Sequence, residues 1–317
     1  MQIQSSRSEV EICRQIIEAA DLDNDPTKDV RKRKINVLSP SGIVWDADEY
    51  FRSLILRRPS EPNVRMVFGQ LTHVMFQAER ADTWEAEKTY RIFIPTPVQS
   101  HFLADNKYVE LGPHGETGFW FLAHLDFFRS ADDVITEDVV EDLKTSIKFN
   151  NGHGSKNGIH VSTSNKRQVA LYGLAVALGE NTLEWGESGL QVRVGSDLIS
   201  LTEVFERHPV RVILDKKIYV TPWSEIDFAQ RVLGVMTSFK EEKVTIRSRR
   251  LLDFVRLLWD EKVEVSPGEL VDYATQILAD GVQLLKRIDS WALDCEALGL
   301  PYFPKPVVQD DPPTVEW

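Results

Sequence analysis

Apolar positions recur at helical spacing over residues 7–20, where Val10, Cys13, Ile16, Ile17 and Ala20 share one side. Ser6 or Ser8 stands ready to cap that helix. Residues 21–34 then form a polar stretch, acidic first and basic after. From residue 35 the period moves toward two. Residues 35–38 and 43–45 flank a Ser-Pro-Ser-Gly turn and predict a hairpin. Tyr50, Phe51, Leu54 and Ile55 predict a short helix over 46–58. Residues 64–68 and 71–76 flank Gly69-Gln70, a second hairpin pattern. Further strands are predicted at 89–94, 107–111 and 117–128, the first closed by Pro95 and Pro97. An acidic helix is predicted over 131–147.

The second half begins with a loop-like run at 149–158. Residues 165–178 fit either a buried helix stopped by Gly179 or a short pair of strands. Hairpins are predicted at 183–194 and 210–221, and helices at 224–239, 248–261 and 267–299. The last helix starts well, with Ser266 as cap, Pro267 in the first turn and Glu269 behind it. Gly281 marks a place where it would break or kink. Five prolines between 301 and 313 exclude a helix from the tail. The fold class expected is α+β, with a β-rich N-terminal half, a helix-rich C-terminal third and an extended Pro-rich tail. The organisation expected is 1–34 as helix and charged linker, 35–148 as a β-rich domain, 149–299 as an α+β to helical domain, and 300–317 as tail.

Composition narrows the setting. Of 317 residues, 42% are hydrophobic and 27% charged, which excludes a disordered or low-complexity chain. The longest apolar run, 169–178, is about half of what a membrane span needs. The charged N-terminus lacks the apolar stretch of a secretory signal, so a cytoplasmic protein is expected. Two cysteines, Cys13 and Cys295, make neither a disulfide framework nor a four-ligand zinc site. A net charge of −12 argues against nucleic acid coating the whole surface, while leaving room for a local basic patch.

That patch is expected at 144–168. It holds Lys144, Lys148, Lys156, Lys166 and Arg167 with no acid, next to a segment, 126–142, that carries seven acids and one Arg. Glycines 152, 154 and 158 would let the backbone approach an anion. Lys148, His153, Lys156, Lys166 and Arg167 are therefore the candidate anion or nucleic-acid contacts; pairing with 126–142 is the competing role. The short clusters 31–34 and 247–250 add to such a surface only if the fold brings them together.

Three patterns suggest other chemistry. His124 and Asp126 lie two apart in an apolar strand, as a ligand pair or a base with its orienting acid would. Asp215-Lys216-Lys217 follows an apolar run and matches the closing acid-x-Lys element of metal-dependent nucleases, with Asp197 as a second carboxylate. Residues 21–32 resemble the first half of an EF-hand calcium loop, but Pro26, Lys28 and Lys32 stand where Gly, an apolar residue and Glu are needed. Nucleophile-elbow, dinucleotide, HExxH and CxxC signatures are absent. Tyr302, Phe303 and Trp317 in the tail suit a partner's groove. The reading these features favour is a binding subunit that contacts nucleic acid or a nucleotide phosphate, within a protein complex. The alternatives are a metal-dependent phosphodiesterase or nuclease and a structural or regulatory interaction subunit. No metal or cofactor is expected, Mg2+ excepted in the nuclease case.

Overall fold

A pair of strands buried on both faces organises the molecule. β4 (Asp138–Lys148) and β8 (Val210–Val220) pair in parallel over eleven residue pairs at the centre of a six-stranded mixed sheet. The computed structural model describes residues 2–22, 34–56, 61–96, 109–152, 160–187, 189–300 and 302. β2 (Glu85–Pro95) and β3 (Gly118–Arg129) form a long antiparallel pair on one side of β4, with the two-residue β1 (Val37–Leu38) beside β3. β9 (Arg256–Val265) pairs antiparallel with β8 and closes the other side. A separate three-stranded sheet holds β5 (Thr182–Gly186), β6 (Gly189–Val194) and β7 (Asp197–Ile199). Mixed sheets plus helices, with a helical C-terminal region, make this an α+β fold.

Helices cover both faces of the large sheet. α1 (Gln2–Ala20), α4 (Val64–Arg80) and α7 (Glu225–Ser238) close one apolar layer, which includes Phe68, Ile147, Tyr219 and Phe228. α2 (Pro40–Trp45), α3 (Ala47–Leu56), α5 (Thr163–Leu178), α6 (Leu201–Arg207) and α9 (Pro267–Ala297) close the other, with Phe119, Phe121, Val140 and Val212. α5 is apolar on nearly every side, as a helix enclosed between a sheet and other helices must be. Gly173 lets it approach β8, since a Cβ there would sit 2.7 Å from a Val212 methyl. Among the described residues no helix is long and apolar enough to cross a membrane.

Several local expectations fail for tertiary reasons. Within 131–147, Asp138, Glu141 and Asp142 lie in strand β4, where Val139, Val140, Leu143 and Ile147 are buried, Arg80 from α4 holds Glu141 and Lys144 on the same strand holds Asp142. Residues 40–45 turn into α2, with Pro40 in its first turn, instead of returning as the second arm of a hairpin. Residues 64–76 belong to one helix, α4, because Val64, Val67, Phe68, Leu71 and Met75 form a helical stripe capped by the Asn63 side chain. Residues 210–220 are one continuous strand, since β4 and β9 flank β8 on both edges. Residues 248–261 divide into the end of the short α8 (Val244–Arg249), a 3-10 turn and edge strand β9. α9 runs through Gly281 unbroken.

Candidate active site

The large sheet forks. One edge of β3 pairs with β2 along its length. The other edge pairs with β1 at Trp120 and Phe121, and with β4 only from Phe127 to Arg129. Asp126 stands where β4 parts from β3, and its carboxylate accepts the backbone N–H of Leu143 at 2.7 Å. That bond brings Asp126 to Asp142-Leu143-Lys144 on β4. The side-chain alternation of β3 also breaks here. Phe119, Phe121, Ala123, Leu125 and then Phe128 enter the same apolar layer. Across the β2 pair, Glu87 lies opposite this point of β3 and adopts a left-handed backbone at φ 55°. A non-glycine residue held there inside a strand is the kind of strain that collects at functional sites.

Two helices complete the cluster. His73 on α4 places Nδ1 3.5 Å from Asp126. One turn on, Gln77 donates to Glu87 at 2.6 Å. The same helix is held against β4 by the Thr72–Thr145 hydroxyl pair at 2.9 Å. On the opposite face, α5 is fixed by a capping box between Ser162 and Asn165. It carries Gln168 and Tyr172, whose side chains bond at 2.6 Å. Both are buried, and the Gln168 Oε1 has no partner among the described residues. Lys144 straddles Asp142, with Nζ 3.0 and 2.9 Å from its two oxygens.

The charges are pushed apart. Burial raises the Asp142 carboxyl to about 6, with Lys144 pulling against it and the charge of nearby Asp126 adding to the rise. Burial would raise Asp126 too, but His73, Lys144 and the Leu143 N–H overcome it and hold it below the usual range. His73 is lowered by burial and raised more by Asp126, so its net shift is upward. Lys144 behaves alike: burial opposes its charge, while Asp142 and Asp126 win. Tyr172 is raised well above its ordinary value by burial, with the charge of Asp142 next. Two neighbouring carboxylates with opposite shifts, beside an ammonium and a buried phenol, are the kind of arrangement from which acid–base and metal chemistry is built.

Among the described residues no three His, Cys, Asp or Glu side chains form a metal shell by themselves. A hard divalent cation does not require one. Mg2+ is held by one or two carboxylates, keeping waters and taking phosphate oxygens for the rest. Asp126 and Asp142 fit that donor set.

No known family model matches the chain, and no curated protein does. A solved structure described as "Crystal structure of SSO0001" is similar at 12% identity over 87% of this chain and 87% of its own, with a TM-score of 0.34. That likeness is too slight to add to the reading of the site.

Of the residues proposed from sequence, Asp126 lies in this centre. His124, its strand neighbour, bonds instead to Thr89 across the β2 pair at 2.8 Å. Asp197 begins β7 in the small sheet and accepts from Ser196. Asp215 and Lys217 face the α4 layer. There Asp215 is held by Arg80, Lys217 and Lys262, and Lys217 also by Asp260. Lys166 pairs with Glu269 at 2.7 Å and Arg167 with Asp280, both on α9. Their partners are thus on α9, not in the 126–142 segment. Arg247 donates to the carbonyls of Ala19 and Met236, Arg249 pairs with Glu79 and Arg250 with Glu242. Tyr302 donates to Glu296 and lies near Trp291. His153, Lys156, Phe303, Trp317 and most of the 21–32 loop lie outside the described residues.

Asp142, Lys144, His73, Gln168 and Tyr172 were missed as a set. The acid-x-Lys pattern that singles out Asp215 and Lys217 occurs equally at Asp142 and Lys144. Reading 131–147 as a helix hid it, because an acid-x-Lys pair shares a face only on a strand.

Proposed function

We propose that this protein is a divalent-cation-dependent nuclease, hydrolysing phosphodiester bonds at the fork between β3 and β4. The observation that carries the reading is the meeting of Asp126 with the Asp142-Leu143-Lys144 strand through the Leu143 N–H. This brings two carboxylates and one ammonium to a single point of the sheet.

A bound Mg2+ or Mn2+ supplies Lewis-acid stabilisation and lowers the pKa of its water. Asp126 and Asp142 are the carboxylates that would hold it. Asp126, kept ionised by His73 and the Leu143 N–H, is ready at neutral pH. Lys144 orients the attacking water and stabilises the negative charge that develops on the phosphoryl oxygens. His73 holds Asp126 from the α4 side. Gln168 and Tyr172 offer a carbonyl and a phenol from the α5 side to position the substrate.

The test is cleavage of a fluorescently labelled oligonucleotide with Mn2+ or Mg2+, and with EDTA. Cleavage is expected only with the metal. Asp142→Asn and Lys144→Ala should each lose about 100-fold or more in rate, with unchanged circular dichroism. Asp215→Asn, in the other acid-x-Lys pair, should keep its rate per folded molecule. Binding without cleavage at any metal concentration would overturn the reading. So would loss of activity in Asp215→Asn alone.

A further inference from the structure

The reactive Lys144 does not stand alone on its face of the sheet. Along β4 the side chains alternate, so Lys144 and Lys148 share the face of Val140, opposite Ile147. In the parallel ladder Lys144 is the register partner of Lys216 on β8. Lys216 follows Leu214 and Val212 onto that same face. Burial lowers the Lys216 pKa, Glu261 opposes this and Lys148 adds to it, so the two ammonium groups are within electrostatic reach.

One strand further, β9 sets Glu261 opposite Lys216 and Trp259 opposite Ile218. Both belong to the face of Val265, which enters the α5-side layer. The chain entering α5 crosses above them. Val161 N–H approaches Glu261 at 3.4 Å, and Lys216 donates to the His160 carbonyl at 2.5 Å. The His160 ring meets the Trp259 ring edge-on, with centroids 5.5 Å apart and planes at 89°. The His160 side chain is 76% exposed. Lys144 and Lys148 thus lie along β4 with Lys216 beside Lys144 on β8, between the fork and a pair of aromatic rings at the sheet's outer strand.

We propose that the substrate is a polynucleotide strand with unstacked bases, its backbone following Lys144, Lys148 and Lys216 and a base stacking on the Trp259 indole, which meets the His160 ring edge-on. This rests on the phosphodiesterase reading and adds to it the substrate class and its path. Ammonium groups spaced along a face follow successive phosphates, while aromatic rings accept any base through its π-face. A base inside a duplex is already stacked on its neighbours and cannot use such a platform. The strand therefore takes precedence over its duplex. A small phosphodiester, reaching only the fork, gains nothing from Lys148, Lys216 or Trp259.

The experiment compares three substrates with Mn2+: a labelled single strand, the same strand in duplex, and bis(4-nitrophenyl) phosphate. The variants are Trp259→Ala, Trp259→Tyr and Lys148→Ala/Lys216→Ala. On the single strand, Trp259→Ala should raise KM about tenfold, the scale of one stacked base, and Trp259→Tyr should restore most of it. The double lysine variant should flatten the slope of log affinity against log salt by about 1.4, or about 0.7 for each phosphate no longer neutralised. All variants should turn over the small ester within about twofold of the parent, on the same principle that stacking and phosphate neutralisation serve the strand alone. An unchanged KM on the strand would overturn the path, and so would a preference for duplex. So would an equal loss on the small ester, because the residues would then be structural. If the parent hydrolyses none of the three, the phosphodiesterase reading itself falls, and the path with it.

Discussion

Asp142 shows how much a single residue is made to carry. It is almost fully buried, beside a second carboxylate, in a strand whose neighbours are apolar. Its pKa near 6 lies about two units above the ordinary value near 4, so the fold prefers its neutral form. The sign follows from linkage. Below about pH 4 the group is protonated in both folded and unfolded chains and contributes no difference. As pH rises through about 6, the folded protein must carry a buried charge that the unfolded chain carries in water. The cost then reaches about 3 kcal/mol. Asp142→Asn removes that titration. The stability of Asp142→Asn relative to the parent, in EDTA, should therefore rise by about 3 kcal/mol between about pH 4 and about pH 7.5. Urea unfolding at both pH values measures it. A difference independent of pH would mean that Lys144 already neutralises Asp142 in full.

At the scale of elements, the legible parts were those whose signals are local. α9 shows its start in the Ser266, Pro267 and Glu269 pattern, and the capping box is formed. β5 and β6 show their hairpin in the Gly186 to Gly189 turn. β3 shows itself in an apolar run between turn residues. β4 and β9 did not, because what makes them strands lies far away in sequence. Glu141 looks helical beside Asp138 and Asp142, yet it is neutralised by Arg80 from α4 and Lys262 from β9. Asp126 could be read, with His124, as a candidate in an apolar strand. Its partners His73 and Leu143 could not, since only the fork brings them together. Gly281 carries the same lesson within a well-read helix. A Cβ there would lie 2.6 and 2.7 Å from the buried Phe119 ring, so the glycine serves the approach of α9 to β3. Gly281→Ala should destabilise by about 1–3 kcal/mol through overpacking, despite the better helix propensity of alanine. The midpoint of urea unfolding reads this directly, and an increase would show that the Phe119 ring can yield.

For the whole molecule, the place of the centre joins its chemistry to stability. β4 and β8 hold one another over eleven pairs, and both helical layers rest on that ladder. The centre sits where β4 leaves β3, and it gathers side chains from α4, β3, β4 and α5. Folding must therefore bring like charges together at the junction of four elements, in a chain already at −12. A divalent cation at Asp126 and Asp142 would offset that repulsion in the folded state alone, since the unfolded chain separates the two carboxylates. Binding to the folded form only, at about a hundred times the dissociation constant, stabilises by about 2.7 kcal/mol. For a chain of this size that corresponds to a Tm increase of about 4 °C. Mn2+ should produce such a shift in the parent and none in Asp142→Asn, while Asp215→Asn should retain it on a lower baseline. EDTA should reverse it. A shift of equal size in Asp142→Asn would place the cation elsewhere on an acidic surface and separate metal binding from the fork.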